Sequence, residues 1–375
     1  MSDPSDAFQK FLSEFVPQPG VANEEGLHET ADFGANPGNL RMLSYAPAAL
    51  APGAPLVVVL HGCTQTASGY ARGAGWFDLA DRYGFAVLCP EQRGENNANR
   101  CFNWFQPDDV ARGGGEAASI HAMIQHTIAA HALDPKRVFV TGLSAGGAMA
   151  CALLATYPET FAAGAIVAGL PYGAAGNLQQ ALGAMMQGRK RAPEEWGGYV
   201  RAASTHVGPW PKISIWHGDS DRTVVAGNAA SLAAQWTDVH AGAAQTIIDE
   251  KRGQRTYSAW DVGGQRVVEL HILAGLDHGA PILLTGPDPV GAAGPFLLSA
   301  DVSSSAEITA FWGIAQAPIA KRVRAPAKEK KSAILPVLAA ATPEKVLHAR
   351  QSKKQPLDIG AVIKKALTAA GLMRN

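Results

Sequence analysis

Residues Arg137–Tyr157 read RVFVTGLSAGGAMACALLATY, and the rest of the architecture follows from them. RVFVT is an apolar, β-branched run of the kind expected of a strand buried on both faces. GGAMACALLATY is rich in small and apolar residues and predicts a helix over Gly146–Tyr157. Between the two, Gly142-Leu143-Ser144-Ala145-Gly146 fits a Gly-x-Ser-x-Gly pattern. A strand that turns sharply into a helix at a serine lifts the hydroxyl clear of the sheet edge. Glycines flank the serine because a Cβ there would clash in so tight a bend. The same turn aims the N–H of Ala145 at a developing oxyanion.

Similar runs recur on both sides of this elbow. Leu56–Leu60 (LVVVL), Phe85–Cys89 (FAVLC), Ala163–Ala168, Ile213–Trp216 and Val267–Leu273 all read as strands. A helix is expected over Gly115–Ala132. Strands separated by helical stretches predict an α/β domain with a mainly parallel sheet covered on both faces. Near the start, Phe8, Phe11, Leu12 and Phe15 fall at helical spacing and predict a helix packing back on the body.

A serine hydroxyl needs a base and an acid to orient that base, and behind such an elbow they follow in the order serine, acid, histidine. Beyond Ser144 lie His206, His217, His240, His271, His278 and His348. His278, in Gly275-Leu276-Asp277-His278-Gly279, follows the last predicted strand and is the base candidate. His271 lies inside that strand as a packed side chain, and His217 supports a loop. Ile213–Trp216 runs into HGDSDRTV, where Asp221 is the preferred acid and Asp219 the alternative that caps the turn. Asp277 points away if His278 faces the serine. LVVVL runs directly into His61-Gly62-Cys63-Thr64-Gln65, so the N–H of Cys63 is the second oxyanion donor beside that of Ala145. His61 reads as scaffold.

Composition bounds the alternatives. The chain has 375 residues, 47% hydrophobic and 17% charged, with a net charge of zero. That is apolar material for a large core, and it gives the whole molecule no electrostatic case for nucleic acid. No run approaches the roughly 18 to 20 apolar residues of a membrane span. No histidine pair stands at i, i+4 on a helix with a glutamate, and Gly113-Gly114-Gly115 lacks a following Lys-Ser/Thr. Neither a metal site nor a cofactor is therefore implied. Cys89 and Cys151 read as core thiols, while Cys63 and Cys101 sit in loops, where a bridge is open.

The neutral charge hides an asymmetry: residues 321–375 hold 13 Lys/Arg against 3 Asp/Glu. The segment is rich in Ala, Lys and Pro and ends in DIGAVIKKALTAAGL, whose apolar residues share one helical face. The expected organisation is an N-terminal helix and lead-in over 1–30, a catalytic domain over 31–315, and a basic tail over 316–375. The tail is a solvated segment, a dock for a partner or hydrophobic particle, or a contact with nucleic acid or a membrane surface. The N-terminus MSDPSDAFQKFLSEFVPQ has no succession of basic start, apolar stretch and cleavage site, which favours the cytoplasm.

LHGCTQ (60–65), GWFDLADRYGFAVLCPEQ (75–92), CFNWF (101–105), GLSAGG (142–147) and WHGDSDRTV (216–224) together resemble the polyhydroxybutyrate (PHB) depolymerase family of esterases. The likeness spans roughly residues 40–315. It implies an α/β-hydrolase fold and hydrolysis of short-chain hydroxyalkanoate esters, soluble or polymeric, by Ser144, Asp221 and His278, with oxyanion donors from Cys63 and Ala145. It also implies a Cys63–Cys101 disulfide across the site mouth, which would favour an oxidising compartment; members of the family are often extracellular. Trp104 and Phe105 are candidates for an apolar acyl cleft, and Gln65 and Asn228 for fixing loops or a substrate carbonyl. Trp76 and Trp236 read equally well as core or cleft. One departure is visible: the family more usually has an aromatic and Pro-Gly after the base, where this chain has Gly279-Ala280-Pro281. Alternatives are a feruloyl- or acetyl-removing carbohydrate esterase, a serine peptidase of related fold, and a granule-binding protein using the tail. Oligomeric state is left open.

Overall fold

A computed structural model describes residues 26–241, 243–286 and 288–315. The helix expected around Phe8–Phe15 and the basic tail from residue 316 lie outside the described residues.

The chain enters through β1 (His28–Thr30) and β2 (Arg41–Tyr45), then β3 (Leu56–Leu60), α1 (Ala67–Gly73), α2 (Trp76–Tyr83) and β4 (Ala86–Glu91). After α3 (Pro107–Val110) and α4 (Gly115–His131) come β5 (Val138–Leu143), α5 (Ala145–Thr156) and β6 (Ala163–Val167). Two short helices, α6 (Leu178–Gln187) and α7 (Pro193–Ala202), precede β7 (Lys212–Gly218) and α8 (Gly227–Val239). A hairpin run β8 (Ala244–Arg252), β9 (Arg255–Val262) and β10 (Gln265–Leu273) follows. Last come β11 (Ala280–Ile282), β12 (Leu297–Ser299) and α9 (Ser304–Phe311).

Ten of these strands form one sheet in the order β1-β2-β4-β3-β5-β6-β7-β10-β9-β8. The six from β4 to β10 pair in parallel. Antiparallel strands close both edges. The edges depart from the simple alternation expected: Gly253 turns β8 into β9 and Gly263-Gly264 turns β9 into β10, all three glycines at positive φ, and β8 and β9 carry no continuous apolar run to announce them.

The pleat sorts the core into two layers. Leu56, Val58 and Leu60 of β3 pack with Ile120, Met149 and Trp236 from α4, α5 and α8. Val57 and Val59 turn the other way onto Tyr70, Leu79 and Ile308 from α1, α2 and α9. Trp76 and Trp236 are both fully buried core side chains. Every residue of β3, β4, β5 and β6 is buried. That rigid platform holds the loops at the carboxyl ends of its strands, the position where open α/β sheets bind ligands.

Candidate active site

Ser144 stands between β5 and α5 with φ 58° and ψ −117°, a conformation a non-glycine residue holds only under constraint. The constraint is visible. A Cβ on Gly146 would lie 2.3 Å from the carbonyl oxygen of Leu60, and one on Gly142 would lie 2.3 Å from the Gly146 backbone. The Ser144 N–H donates to the Val167 carbonyl at 2.9 Å, and its own carbonyl accepts from Ala148 N–H at 2.9 Å, starting α5.

His278 lies in the loop after β10. Its Nε2 is 2.9 Å from Ser144 Oγ, and its Nδ1 is 2.7 Å from Asp221 Oδ2. All three side chains are buried. Asp221 sits in the loop after β7, where its Oδ1 accepts from the N–H groups of Thr223 at 2.9 Å and Val224 at 2.8 Å. Burial alone would raise its pKa. The facing charge of His278, the hydrogen bonds from His217 and His278, and the charge of His217 more than offset that and hold the carboxyl well below its ordinary range. A carboxylate kept ionised accepts a hydrogen bond from Nδ1–H, which leaves the Nε2 lone pair able to accept a proton from the serine.

The neighbouring titratable groups are occupied elsewhere. Asp219 Oδ1 accepts from Gly275 N–H at 2.7 Å, clamping the histidine loop. Asp277 Oδ1 accepts from the N–H of His278 itself at 2.8 Å. His271 stacks on Trp216 with ring centroids 3.8 Å apart. His61 is fully buried and accepts from Gln92 N–H through Nε2 at 3.1 Å.

Cys63 and Ala145 line the same cleft as Ser144 and His278. Cys63 is disulfide-bonded to Cys101, 38 residues away. The bridge joins the loop after β3 to the segment that carries Trp104 and Phe105, and both of those rings line the cleft. Gln65 and Asn228 do not. Gln65 accepts from Gly62 N–H at 2.8 Å and donates to the Pro295 carbonyl at 3.1 Å. Buried Asn228 donates to the carbonyls of Ala184 at 3.0 Å and Val225 at 3.1 Å. Gln65 and the Asn228 Nδ2 group bond backbone and tie loops together, the buried Asn228 Oδ1 has no hydrogen-bond partner, and neither residue is among those that line the cleft.

Several lining residues had not been anticipated. α6 contributes Leu178, Ala181, Leu182 and Met185, a helical stripe readable at i, i+3, i+4 and i+7. Leu170, Thr223, Val224 and Phe296 complete much of the wall. Phe296 has no local signal. It arrives from the loop before β12 with φ 62°, its ring edge-on to His278 at 5.9 Å. Gly279, directly after the base, has no room for a side chain, because a Cβ there would meet the Phe296 carbonyl oxygen at 2.7 Å. The aromatic beside the base thus comes from a different loop.

The family described as Esterase PHB depolymerase matches residues 41–256, more than half of the chain. The protein belongs to that family. Ser144 and Asp221 fall inside the matched range, and His278 lies beyond it. Among curated relatives of this PHB depolymerase-family chain, poly(3-hydroxyalkanoate) depolymerase C of Paucimonas lemoignei is 43% identical over 294 residues, 77% of this chain and 70% of that protein. Feruloyl esterase B of Neurospora crassa is 35% identical over 220 residues, 57% of this chain and 74% of its own. Among solved structures, acetyl xylan esterase from Aspergillus awamori superposes with a TM-score of 0.65 at 26% identity, covering 77% of this chain and 99% of that one. The fold is that of the α/β-hydrolases, and the chain is a carboxylic ester hydrolase of the serine type.

Proposed function

We propose that this esterase hydrolyses short-chain hydroxyalkanoate esters of the 3-hydroxybutyrate type through an acyl-enzyme. Ser144 is the nucleophile, His278 the general base and then acid, and Asp221 the group that orients and charges against the imidazole. The observation that carries this reading is the unbroken chain from Asp221 Oδ2 through His278 to Ser144 Oγ, with separations of 2.7 and 2.9 Å. Oγ attacks the ester carbonyl as its proton passes to Nε2, and the oxyanion forms against the N–H groups of Cys63 and Ala145. The bond to the alcohol then breaks, and Nε2 returns the proton to the leaving oxygen. Water repeats the sequence on the acyl-enzyme and frees the acid.

An aliphatic substrate is supported by the cleft, whose walls are Trp104, Phe105, Leu170, Leu178, Leu182 and Met185. Such walls reward apolar acyl groups and offer few partners to a sugar's hydroxyls. The test is release of 3-hydroxybutyrate from its oligomers by the full chain and by Ser144→Ala. Turnover by the wild type and none by the variant is expected; equal behaviour rejects the assignment. The identity to feruloyl esterase B favours a second reading, removal of feruloyl or acetyl groups from carbohydrate. Faster turnover of methyl ferulate than of a hydroxybutyrate dimer would establish it instead. The basic segment over 316–375 is assigned to surface or granule contact on its charge. Deleting it should abolish association with polymer granules and spare turnover of soluble esters.

A further inference from the structure

The lining of the cleft divides between two apolar clusters. Trp104, Phe105, Leu170, Leu178, Met185 and Val224 belong to one, built on the α6 side. Phe296 belongs to the other, with Leu276, Leu297 and Val290, on the side of the histidine loop. Phe296 is held firmly there. Its carbonyl accepts from Ala280 N–H at 2.8 Å, in the small β11–β12 sheet. The carbonyl of Pro295 before it accepts from Gln65 at 3.1 Å. These contacts hold a bulky residue at φ 62°, a conformation that persists only where the surroundings over-determine it.

The proton on His278 Nε2 must be delivered to the leaving oxygen, so the alcohol portion of the ester lies on the imidazole side of Ser144. Phe296 is the ring that meets His278 edge-on and also lines the cleft. We infer that Phe296 forms the alcohol-side subsite and determines which alcohols the enzyme releases, favouring apolar, branched or aromatic ones such as the hydroxyl end of a hydroxyalkanoate chain. This rests on the assignment of Ser144 and His278 above and adds a residue that the assignment does not need.

The test holds the acyl group constant. Methyl butyrate, benzyl butyrate and methyl 3-(butanoyloxy)butanoate all give the same butyryl-enzyme, so they share deacylation and differ only in the alcohol. Loss of one apolar contact surface typically costs tenfold or more in discrimination, so Phe296→Ala should lower kcat/KM for the two larger esters about tenfold and for methyl butyrate less than about threefold. Phe296→Leu, which keeps apolar bulk, should recover part of the loss. The rate at which a fluorophosphonate labels Ser144 should fall by no more than the turnover of methyl butyrate does, because its leaving group is fluoride. Equal losses on all three esters, labelling slowed as much as benzyl butyrate turnover, or no loss at all would overturn the proposal. If the wild type is labelled and cleaves benzyl butyrate but ignores the hydroxybutyrate ester, the substrate assignment fails, while the benzyl and methyl pair still decides the role of Phe296. If Ser144 is not labelled, the nucleophile assignment itself fails.

Discussion

Asp221 faces two imidazoles through one oxygen: His278 Nδ1 lies 2.7 Å from Oδ2, and His217 Nε2 lies 3.2 Å from it. His217 Nε2 is also 2.7 Å from the Val224 carbonyl oxygen, an acceptor, so that nitrogen carries the proton. The carboxylate is therefore solvated by protein on every side: two backbone N–H groups on Oδ1 and two ring nitrogens on Oδ2. Removing a donor from a buried charge costs about 1.5–3 kcal/mol, so His217→Ala should lower kcat by about ten- to a hundredfold on a soluble butyrate ester. KM should change little, because His217 is not among the residues that line the cleft.

Asp221→Asn should be more damaging than its small change in shape suggests. The asparagine oxygen still accepts from Thr223 and Val224, but its NH₂ would face His278 Nδ1 and force the proton onto Nε2. The base then cannot accept from Ser144, and kcat should fall about 10⁴-fold, as expected when the wrong tautomer is imposed. Stability offers an independent check. With its folded pKa held below the ordinary value, Asp221 contributes stability that is present above the unfolded pKa near 3.9 and is lost as pH falls through the folded value. The difference in Tm between wild type and variant should be large at pH 7 and shrink below about pH 4.

Glu116 predicts the opposite slope. It is buried beneath the Cys101–Phe105 segment, where it accepts from Asn103 N–H at 2.8 Å and is hydrogen-bonded to Gln92. Burial, and then the charge of Asp109, push its carboxyl up to about 8. The folded state holds this proton where the unfolded chain has lost it, so stability should decline as pH rises from about 4.5 to 8. Glu116→Gln should flatten that decline, which thermal melts across pH 4 to 9 would measure.

The Cys63–Cys101 bond closes a loop of 38 residues in sequence separation. In the chain-entropy treatment a loop of that length contributes about 4 kcal/mol. Cys101→Ser should lower Tm accordingly. It should also lower kcat, because Cys63 sits in the loop whose N–H is proposed above as the second oxyanion donor. Reduction of the wild type by dithiothreitol should reproduce both effects, and reoxidation should reverse them.

The central part of this design could be read before any coordinates. RVFVT, LVVVL and FAVLC announced themselves because strands buried on both faces need no polar side chains, and Gly142 and Gly146 because nothing larger fits. The sheet edges were harder: β8 and β9 mix Arg, Asp, Glu and Thr with apolar residues, since one side of each strand meets solvent. Gly253, between β8 and β9, and Gly263-Gly264, between β9 and β10, are the best available signs of these turns. Gln65 and Asn228 show the opposite failure. A polar side chain close to a catalytic motif invites a role with substrate, yet Gln65 bonds Gly62 and Pro295 and the Asn228 Nδ2 group bonds Ala184 and Val225, backbone partners that no pattern in the chain reveals. Phe296 was invisible for a related reason: it reaches His278 only through the pairing of β11 with β12.

Ser144 and His278 are 134 residues apart, and β6, β7 and β10 must all find their places before they meet. Contacts so distant along the chain form late and slowly. A ribosome-bound chain ending before residue 278 holds Ser144 but not the imidazole whose Nε2 stands 2.9 Å from its Oγ. On the proposed assignment, ester cleavage therefore waits until translation has passed that histidine, and every shorter length of polypeptide is inert toward the esters around it.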